Sequence, residues 1–91
     1  MQFTWDPDKA AANWKRHRVS FEEALEAFFD PHAVDDFDPE HSIAEARFNL
    51  IGLSSRRLLF VVYIQSAENE IRIISARKAE KKHQRIYAKQ T

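Results

Sequence analysis

The pattern of hydrophobic and polar positions begins with a short strand and two helices. Residues 1–5 alternate and are rich in aromatic side chains, which indicates a strand. Asp6 followed by Pro7 is a helix-start signal, so the helical periodicity that follows predicts a first helix ending at His17. Ser20–Glu23 has the sequence of a capping box, in which serine and glutamate each bind a terminal amide, and it begins a second helix.

Each helix is predicted to bury one side. At about 100° per residue, the first helix separates its residues into an apolar and a polar side, which are Ala10, Ala11 and Trp14 against Lys9, Asn13 and Arg16. The second helix has an apolar face of Phe21, Ala24, Leu25, Phe28 and Phe29, and an exposed face of Glu22, Glu23 and Glu26.

Beyond the second helix the pattern becomes extended. Two Asp-Pro pairs flank a short strand predicted at residues 33–37, and longer runs follow at 46–55, 56–65 and 70–77. Short polar breaks separate these runs, so adjacent antiparallel hairpins are the simplest topology. Residues 58–64 are apolar on both faces, which predicts a central strand covered by helices on one side and by another part of the chain on the other.

The final segment, from about Lys78 to Lys89, is predicted to be a helix with a basic face. Rotation by about 100° per residue places five cations within about 100°, namely Lys78, Lys81, Lys82, Arg85 and Lys89. This face could bind a polyanion or another acidic partner, or it could be an ordinary solvated surface. The order of elements predicts an α+β fold, with two N-terminal helices and one C-terminal helix packed on a small antiparallel β-sheet, in a single domain over residues 1–91.

The composition restricts the kinds of site that the chain can contain. Its 91 residues include no cysteine, which excludes disulfides and thiolate metal sites. The four histidines lack the close spacing of zinc ligands, so no metal or other cofactor is expected. No run approaches the roughly 18 apolar residues of a membrane span, and the N-terminus lacks a signal pattern, so a cytoplasmic protein without membrane contacts is expected.

Charge is distributed unevenly along the chain although its sum is zero. The first 55 residues carry eleven acidic and five basic side chains, and the last 36 carry three acidic and nine basic, which gives net charges of −6 and +6. This asymmetry favours a surface for a polyanion. Mutual neutralisation of two packed halves is the alternative interpretation.

Two arginines in the last apolar strand each need a partner. Regular alternation places Arg72 and Arg77 on opposite faces of that strand. A guanidinium stays charged, so its burial is costly unless it meets an acid or another anion. Each arginine could form a salt bridge with the acidic first half of the chain, for instance with Glu22 or Asp30, or it could bind a phosphate.

A specific combination of residues extends from the first strand to the second helix. Its members are Phe3, Trp5, Asp6, Lys9, Asn13, His17, Val19, Ser20 and Phe21. The segments RFNLIG at 47–52 and RIISARKA at 72–79, together with Tyr87, complete the pattern. It resembles the BrnT family, the ribonuclease toxins of type II toxin–antitoxin systems. Arg18 stands where that family usually has glycine, and His83 where it usually has glutamate.

The resemblance implies a fold similar to RelE-type toxins, cleavage of RNA, and a cognate BrnA-like antitoxin through which operator DNA is contacted indirectly. Metal-free cleavage requires a base for the 2′-hydroxyl and cations for the phosphate in the transition state. His17 is the candidate base, because the ordinary pKa of histidine lies near 6.5. Arg72 and Arg77 are suited to stabilising phosphate charge. The predicted RNA-binding residues are Lys9, Lys78, Lys81, Lys82 and Arg85.

Several alternatives are open at this point. His17 could be a capping or core histidine, in which case arginine and lysine would drive cleavage without it. Tyr63 and Tyr87 could stack on a base or donate a proton, although such tyrosines are more typical of packing. The alternative function is a non-enzymatic basic module that binds nucleic acid or an acidic partner within a repressor complex.

Overall fold

The computed structural model describes residues 1–89, which form three α-helices and a five-stranded sheet. The elements are β1 (Gln2–Thr4), α1 (Pro7–His17), α2 (Phe21–Ala27), β2 (Val34–Phe37), β3 (Arg47–Leu53), β4 (Leu58–Ala67), β5 (Glu70–Lys78) and α3 (Lys81–Ala88), with a 3-10 turn at Pro39–His41. The strand order is β1-β5-β4-β3-β2. The predicted α+β class is confirmed, but β1 runs parallel to β5, so the sheet is mixed. None of the helices within residues 1–89 combines the length and apolar character needed to span a membrane.

Helices α1 and α2 pack on one face of the sheet and enclose the hydrophobic core. Its fully buried side chains include Phe21 of α2, Leu59 of β4 and Ile73 of β5. Gly52 allows β3 to approach α2 closely, because a Cβ at this position would lie 2.7 Å from the carbonyl oxygen of Ala27. This face of the sheet is therefore committed to packing.

The starts of α1 and α2 are confirmed by their caps, but only the serine half of the predicted capping box forms, because the Glu23 carboxylate binds Arg57 and Ser54 instead of the Ser20 amide. The Asp6 carboxylate accepts the Asp8 amide at 2.8 Å, and the Ser20 hydroxyl accepts the Glu23 amide at 3.0 Å. Between the helices, Arg18 adopts a left-handed conformation with φ 57°. A side chain is unfavourable there and glycine is not, so the arginine makes this tight turn costlier.

The predicted sides of α1 are wrong at three positions, and the first is Ala11, which was predicted on the apolar side but is exposed. Asn13 is buried, with 7% of its surface exposed, whereas Trp14 is 45% exposed. The Asn13 amide group donates to the carbonyls of Val19 (2.9 Å) and Ala76 (2.8 Å) and accepts the Ala76 amide (3.1 Å). Because β1 pairs with only the beginning of β5, this part of β5 has no strand on the edge opposite β4, and Asn13 satisfies the backbone groups of Ala76 there.

Glu23 was predicted on the exposed face of α2, but it is only 6% exposed. Its carboxylate accepts hydrogen bonds from Arg57 Nε (3.0 Å) and Nη2 (2.9 Å), and from the Ser54 hydroxyl (2.8 Å). These contacts tie α2 to the turn between β3 and β4. Periodicity treats every carboxylate as a surface group, so it does not detect a buried ion pair of this kind.

A β-bulge in β5 places Arg72 and Arg77 on the same face of the sheet, contrary to the prediction. Between Ile73 and Ser75, β5 advances by two residues while β4 advances by one, so Ile74 is the extra residue. The bulge inverts the alternation beyond it. Both guanidinium groups consequently lie on the face that α1 and α2 leave uncovered.

This second face of the sheet carries three rows of cross-strand neighbours. The rows are Arg47, Ile64 and Arg72; Asn49, Val62 and Ser75; and Ile51, Phe60 and Arg77. Helix α3 covers the third row, where the ring of His83 stacks on that of Phe60 with centroids 4.1 Å apart. The predicted cover on the second side of the central strand is therefore this helix, at one end of the sheet.

Helix α3 begins three residues later than predicted. Lys78 is the last residue of β5, and Glu80 is the N-cap of the helix. His83 is buried because its ring packs on the sheet and its Nδ1 accepts the Glu80 amide at 3.0 Å. Lys78 thus does not belong to the basic face of α3, which keeps Lys81, Lys82, Arg85 and the C-cap residue Lys89.

Candidate active site

A groove follows the edge of β5 where this strand meets α1. A cleft of about 660 Å³ is lined by His17, Lys9 and other α1 side chains, and by Ile74 and Ser75 of β5. A second cavity of about 200 Å³ is lined by Arg72 and again by Lys9 and Ile74. Lys9 and Ile74 line both, so these two adjoining spaces make up the groove.

The groove results from the short first strand and the bulge. β1 pairs with β5 only at residues 70–72, so the edge beyond is available to α1. Asn13 fixes α1 there, and the bulge at Ile74 lies at the floor of the groove. Of the predicted site residues, Lys9 lines both spaces of the groove, His17 lines the first and Arg72 the second.

His17 ends α1 and is partly buried in this groove. Burial, and then the positive charges of Arg16 and Arg77, lower its pKa below the usual 6.5. The neutral imidazole therefore predominates at pH 7, which is the form that can accept a proton. Because the charge of Arg77 lowers this pKa, the Arg77 guanidinium interacts electrostatically with His17.

Arg72 binds an acid, but neither of the acids predicted. Its Nη2 donates to both carboxylate oxygens of Glu45 at 3.0 Å, and the two side chains are 41% and 46% exposed. Asp30, one predicted partner, instead accepts the Tyr87 hydroxyl at 2.7 Å. An ion pair this exposed contributes little stability, so an incoming anion can compete for the arginine.

Arg77 lies at the other end of the same face. It forms an exposed ion pair with Glu80 at 3.6 Å, and its guanidinium carbon lies 5.2 Å from the centre of the Phe60 ring. Contact with the aromatic face orients the guanidinium without neutralising it. The rows of Arg72 and Arg77 are four positions apart along β4, from Ile64 to Phe60, so their Cα atoms are roughly 13 Å apart. The two arginines are thus placed to contact different points along an extended ligand.

The remaining predicted RNA-binding residues lie away from the groove. None of Lys78, Lys81, Lys82 and Arg85 lines either part of it. Lys78 ends β5, and the other three lie on α3, which packs at the Phe60 end of the second face. The structure therefore separates Lys9 from the other predicted RNA-binding residues.

The hydroxyl groups of both tyrosines bind aspartate side chains. Tyr63 is buried in the core, and its hydroxyl donates to Asp35 at 2.9 Å, so burial and this bond raise its pKa above the usual range. The Tyr87 hydroxyl donates to Asp30, which raises the pKa of Tyr87 to about 12. Neither lines the groove.

Sequence reasoning missed two groove residues, Arg47 and Glu45. Both line the cavity that contains Arg72. Arg47 is the neighbour of Ile64, which is in turn the neighbour of Arg72, so only the register of three strands reveals that they belong together. In the part of the chain that the structure describes, no group of three or more histidine, aspartate or glutamate side chains is placed to hold a metal ion.

Comparisons with known proteins agree with this architecture. The sequence model of the family described as "Ribonuclease toxin, BrnT, of type II toxin-antitoxin system" matches residues 5–83. Among curated proteins, none is significantly similar to this chain. The 1.1 Å crystal structure of the Brucella abortus ribonuclease toxin BrnT has a similar fold, with a TM-score of 0.61 and 23% identity over 89% of this chain and 99% of that chain. Since the family model matches most of the sequence, the chain belongs to the BrnT family of ribonuclease toxins from type II toxin–antitoxin systems.

Proposed function

We propose that the domain formed by residues 1–91 cleaves RNA in the groove between α1 and β5, without a metal ion, and so inhibits translation and growth in the bacterial cytoplasm. The observation that carries this proposal is that Lys9 lines two adjoining spaces, the first shared with His17 and the second with Arg72. A base, a mobile cation and a guanidinium are the groups that phosphate-ester cleavage by an internal hydroxyl needs.

In the proposed reaction, neutral His17 takes the proton of the RNA 2′-hydroxyl. The 2′-oxygen then forms a bond to phosphorus, and the bond from phosphorus to the 5′-oxygen breaks. Arg72 and Arg77 stabilise the negative charge of the pentacoordinate phosphate and of the neighbouring backbone. Water in the open groove protonates the departing 5′-oxygen, and the hydroxide that remains takes the proton from His17, so the base is neutral again and the products are a 2′,3′-cyclic phosphate and a 5′-hydroxyl.

Binding of RNA is proposed to use two surfaces. Lys9 contacts the strand inside the groove, where it lies between His17 and Arg72. Outside it, the strand contacts cations at the Arg77 end of the sheet, namely Lys78, Lys81, Lys82 and Arg85. Such contacts carry no sequence information of their own, so this part of the binding free energy should weaken as salt is added.

The proposed partner is a BrnA-like antitoxin that binds the toxin and contacts operator DNA through its own domain. The exposed basic face of α3 supports a second candidate function, in which the protein binds nucleic acid within a repressor complex without cleaving it. The two functions differ in what the isolated toxin does in a cell. A toxin that cleaves RNA acts without its antitoxin, whereas a repressor component does not.

Inducible expression of the protein in bacteria should stop growth and shorten cellular RNA, and co-expression of the antitoxin should prevent both effects. Growth can be followed by optical density and RNA by primer extension, which also locates the cleaved bonds. Expression of the His17→Gln, Arg72→Ala double variant is the control for protein burden. Continued growth with intact RNA at a verified level of the soluble parent would reject the ribonuclease function.

The pH dependence of cleavage should show that His17 acts as the base. Its lowered pKa means that the neutral base is lost only below the usual 6.5, so the rate should rise with pH through an apparent pKa under 6.5 and then level off. His17→Gln should lower the plateau about a hundredfold and remove this acid limb. The exposed His32→Gln is the matched control and should keep it. An unchanged pH profile in His17→Gln would mean that arginine and lysine side chains drive cleavage without His17.

A further inference from the structure

Arg47 and Arg72 flank one side chain on the second face of the sheet. Arg47 on β3 and Arg72 on β5 are both direct neighbours of Ile64 on β4. Two strand spacings separate their Cα atoms, which is roughly 10 Å. Two arginine side chains can converge across that distance, and both line the cavity that also contains Lys9.

The two guanidinium groups share an unusual deficit of hydrogen bonds. The Nε atoms of Arg47 and Arg72 are buried and have no hydrogen-bond partner. Across residues 1–89, the Arg47 guanidinium also lacks an ion pair, whereas Arg72 has one with Glu45. A buried N–H without an acceptor is costly, and each of the two arginines contains one. The other N–H groups of the pair, apart from the Nη2 of Arg72, form no hydrogen bond within residues 1–89 and can bind an acceptor from outside the chain.

Glu45 indicates what that acceptor is. It comes from the loop between β2 and β3, and its two oxygens accept hydrogen bonds from Arg72 in the cavity that Arg47 also lines. Carboxylates and phosphates make the same kind of two-oxygen contact with arginine. The Glu45 side chain is about half exposed, and its carboxylate occupies a position on Arg72 that a phosphate could take.

We propose that Arg47 and Arg72 form a subsite for one phosphate of the RNA backbone, and that Glu45 occupies its Arg72 half until RNA displaces it. This inference rests on the proposed function, because it names the part of the substrate that the groove holds. Arg47 is then a substrate-binding residue that retains the strand beside Lys9. Glu45 competes with the substrate, so its charge weakens binding.

The test measures binding separately from cleavage, with a fluorescent RNA oligonucleotide that is fully 2′-O-methylated and lacks the attacking hydroxyl. Anisotropy titrations at several salt concentrations should show that Arg47→Ala weakens binding about tenfold. The slope of log affinity against log salt should become shallower by about 0.7, since one phosphate contact is lost. Arg47→Lys should keep that slope, and Glu45→Gln should tighten binding about two- to fivefold. The exposed turn variant Arg56→Ala is the control and should match the parent.

The results separate this subsite from the ribonuclease function. If the parent cleaves ordinary RNA but Arg47→Ala retains the parental affinity and slope, the subsite is wrong and the ribonuclease stands. If Arg47→Ala and Glu45→Gln change the affinity for the oligonucleotide as predicted but the parent leaves ordinary RNA intact, the subsite is supported and the ribonuclease function is wrong. If Arg47→Ala does not fold, Glu45→Gln remains as the test. An RNA affinity of Glu45→Gln equal to that of the parent would mean that RNA does not displace Glu45 from Arg72.

Discussion

Arg72→Ala is expected to reduce RNA cleavage by the purified toxin on the order of 10²–10³-fold, the cost of removing one group that stabilises transition-state charge. Arg77→Ala should also reduce cleavage. Arg72 lines the groove beside Lys9, and Arg77 influences the pKa of His17 from the same face of the sheet. The rate should be measured under single-turnover conditions, so that loss of chemistry is distinguished from weaker binding.

Both variants should remain folded, which makes the comparison interpretable. The ion pairs that they lose are exposed and are each expected to contribute less than about 1 kcal/mol. Thermal unfolding checks this directly, and Arg56→Ala removes an exposed arginine of the turn between β3 and β4 as a matched control. Cleavage at the parental rate by folded Arg72→Ala and Arg77→Ala proteins would mean that the assignment of these arginines is wrong.

Glu23→Ala should cause the largest loss of stability, about 3 kcal/mol of the free energy of unfolding. The substitution removes the buried carboxylate that binds Arg57 and Ser54, and it leaves the arginine with the Arg18 carbonyl, at 2.8 Å, as its remaining acceptor. This is a large part of the 5–15 kcal/mol typical of a domain. Urea unfolding followed by circular dichroism provides the measurement.

The neighbouring Glu22→Ala is the control, because Glu22 is exposed on the same turn of α2 and its loss should change stability by less than about 0.5 kcal/mol. A difference of less than 1 kcal/mol between the two variants would contradict the importance of the buried pair. Hydrogen bonds from Arg57 lower the pKa of Glu23 below its ordinary 4.5. The stabilisation is therefore complete above pH 4.5 and is lost as the pH falls through the lower, folded-state value.

Local signals were sufficient to predict the helices at the start of the chain and the class of the fold. Asp6 and Ser20 cap α1 and α2 as their sequence context indicates, since a cap depends on residues within one turn. The start of the last helix, α3, was predicted less accurately. That start depends on Glu80 and on the packing of His83 against Phe60, so a helix predicted from Lys78 begins too early.

The candidate site could be predicted only where one segment carries it. Lys9 and His17 share a helix, and Arg72 and Arg77 share a strand, so each pair is visible along the sequence. The common face of the two arginines is not, because the bulge at Ile74 depends on pairing with β4. Contacts between distant segments, such as Arg47 beside Arg72, need the register of the whole sheet.

Two polar residues that were predicted on exposed helix faces are buried for the same reason. Asn13 and Glu23 look like surface residues when judged by periodicity, but each is buried with several hydrogen bonds to distant segments. Asn13 binds a strand 63 residues further along the chain, and Glu23 binds a turn 34 residues away. A helical wheel contains no information about such partners.

The most direct measurement is cleavage of a defined RNA by the purified toxin in excess EDTA, with the ends of the products identified. Metal-free cleavage in the groove predicts that the parent retains its rate and yields 2′,3′-cyclic phosphate and 5′-hydroxyl ends, and that folded Arg72→Ala is slower on the order of 10²–10³-fold. Loss of cleavage on chelation with recovery on addition of a divalent cation, or parental cleavage by Arg72→Ala, would contradict it.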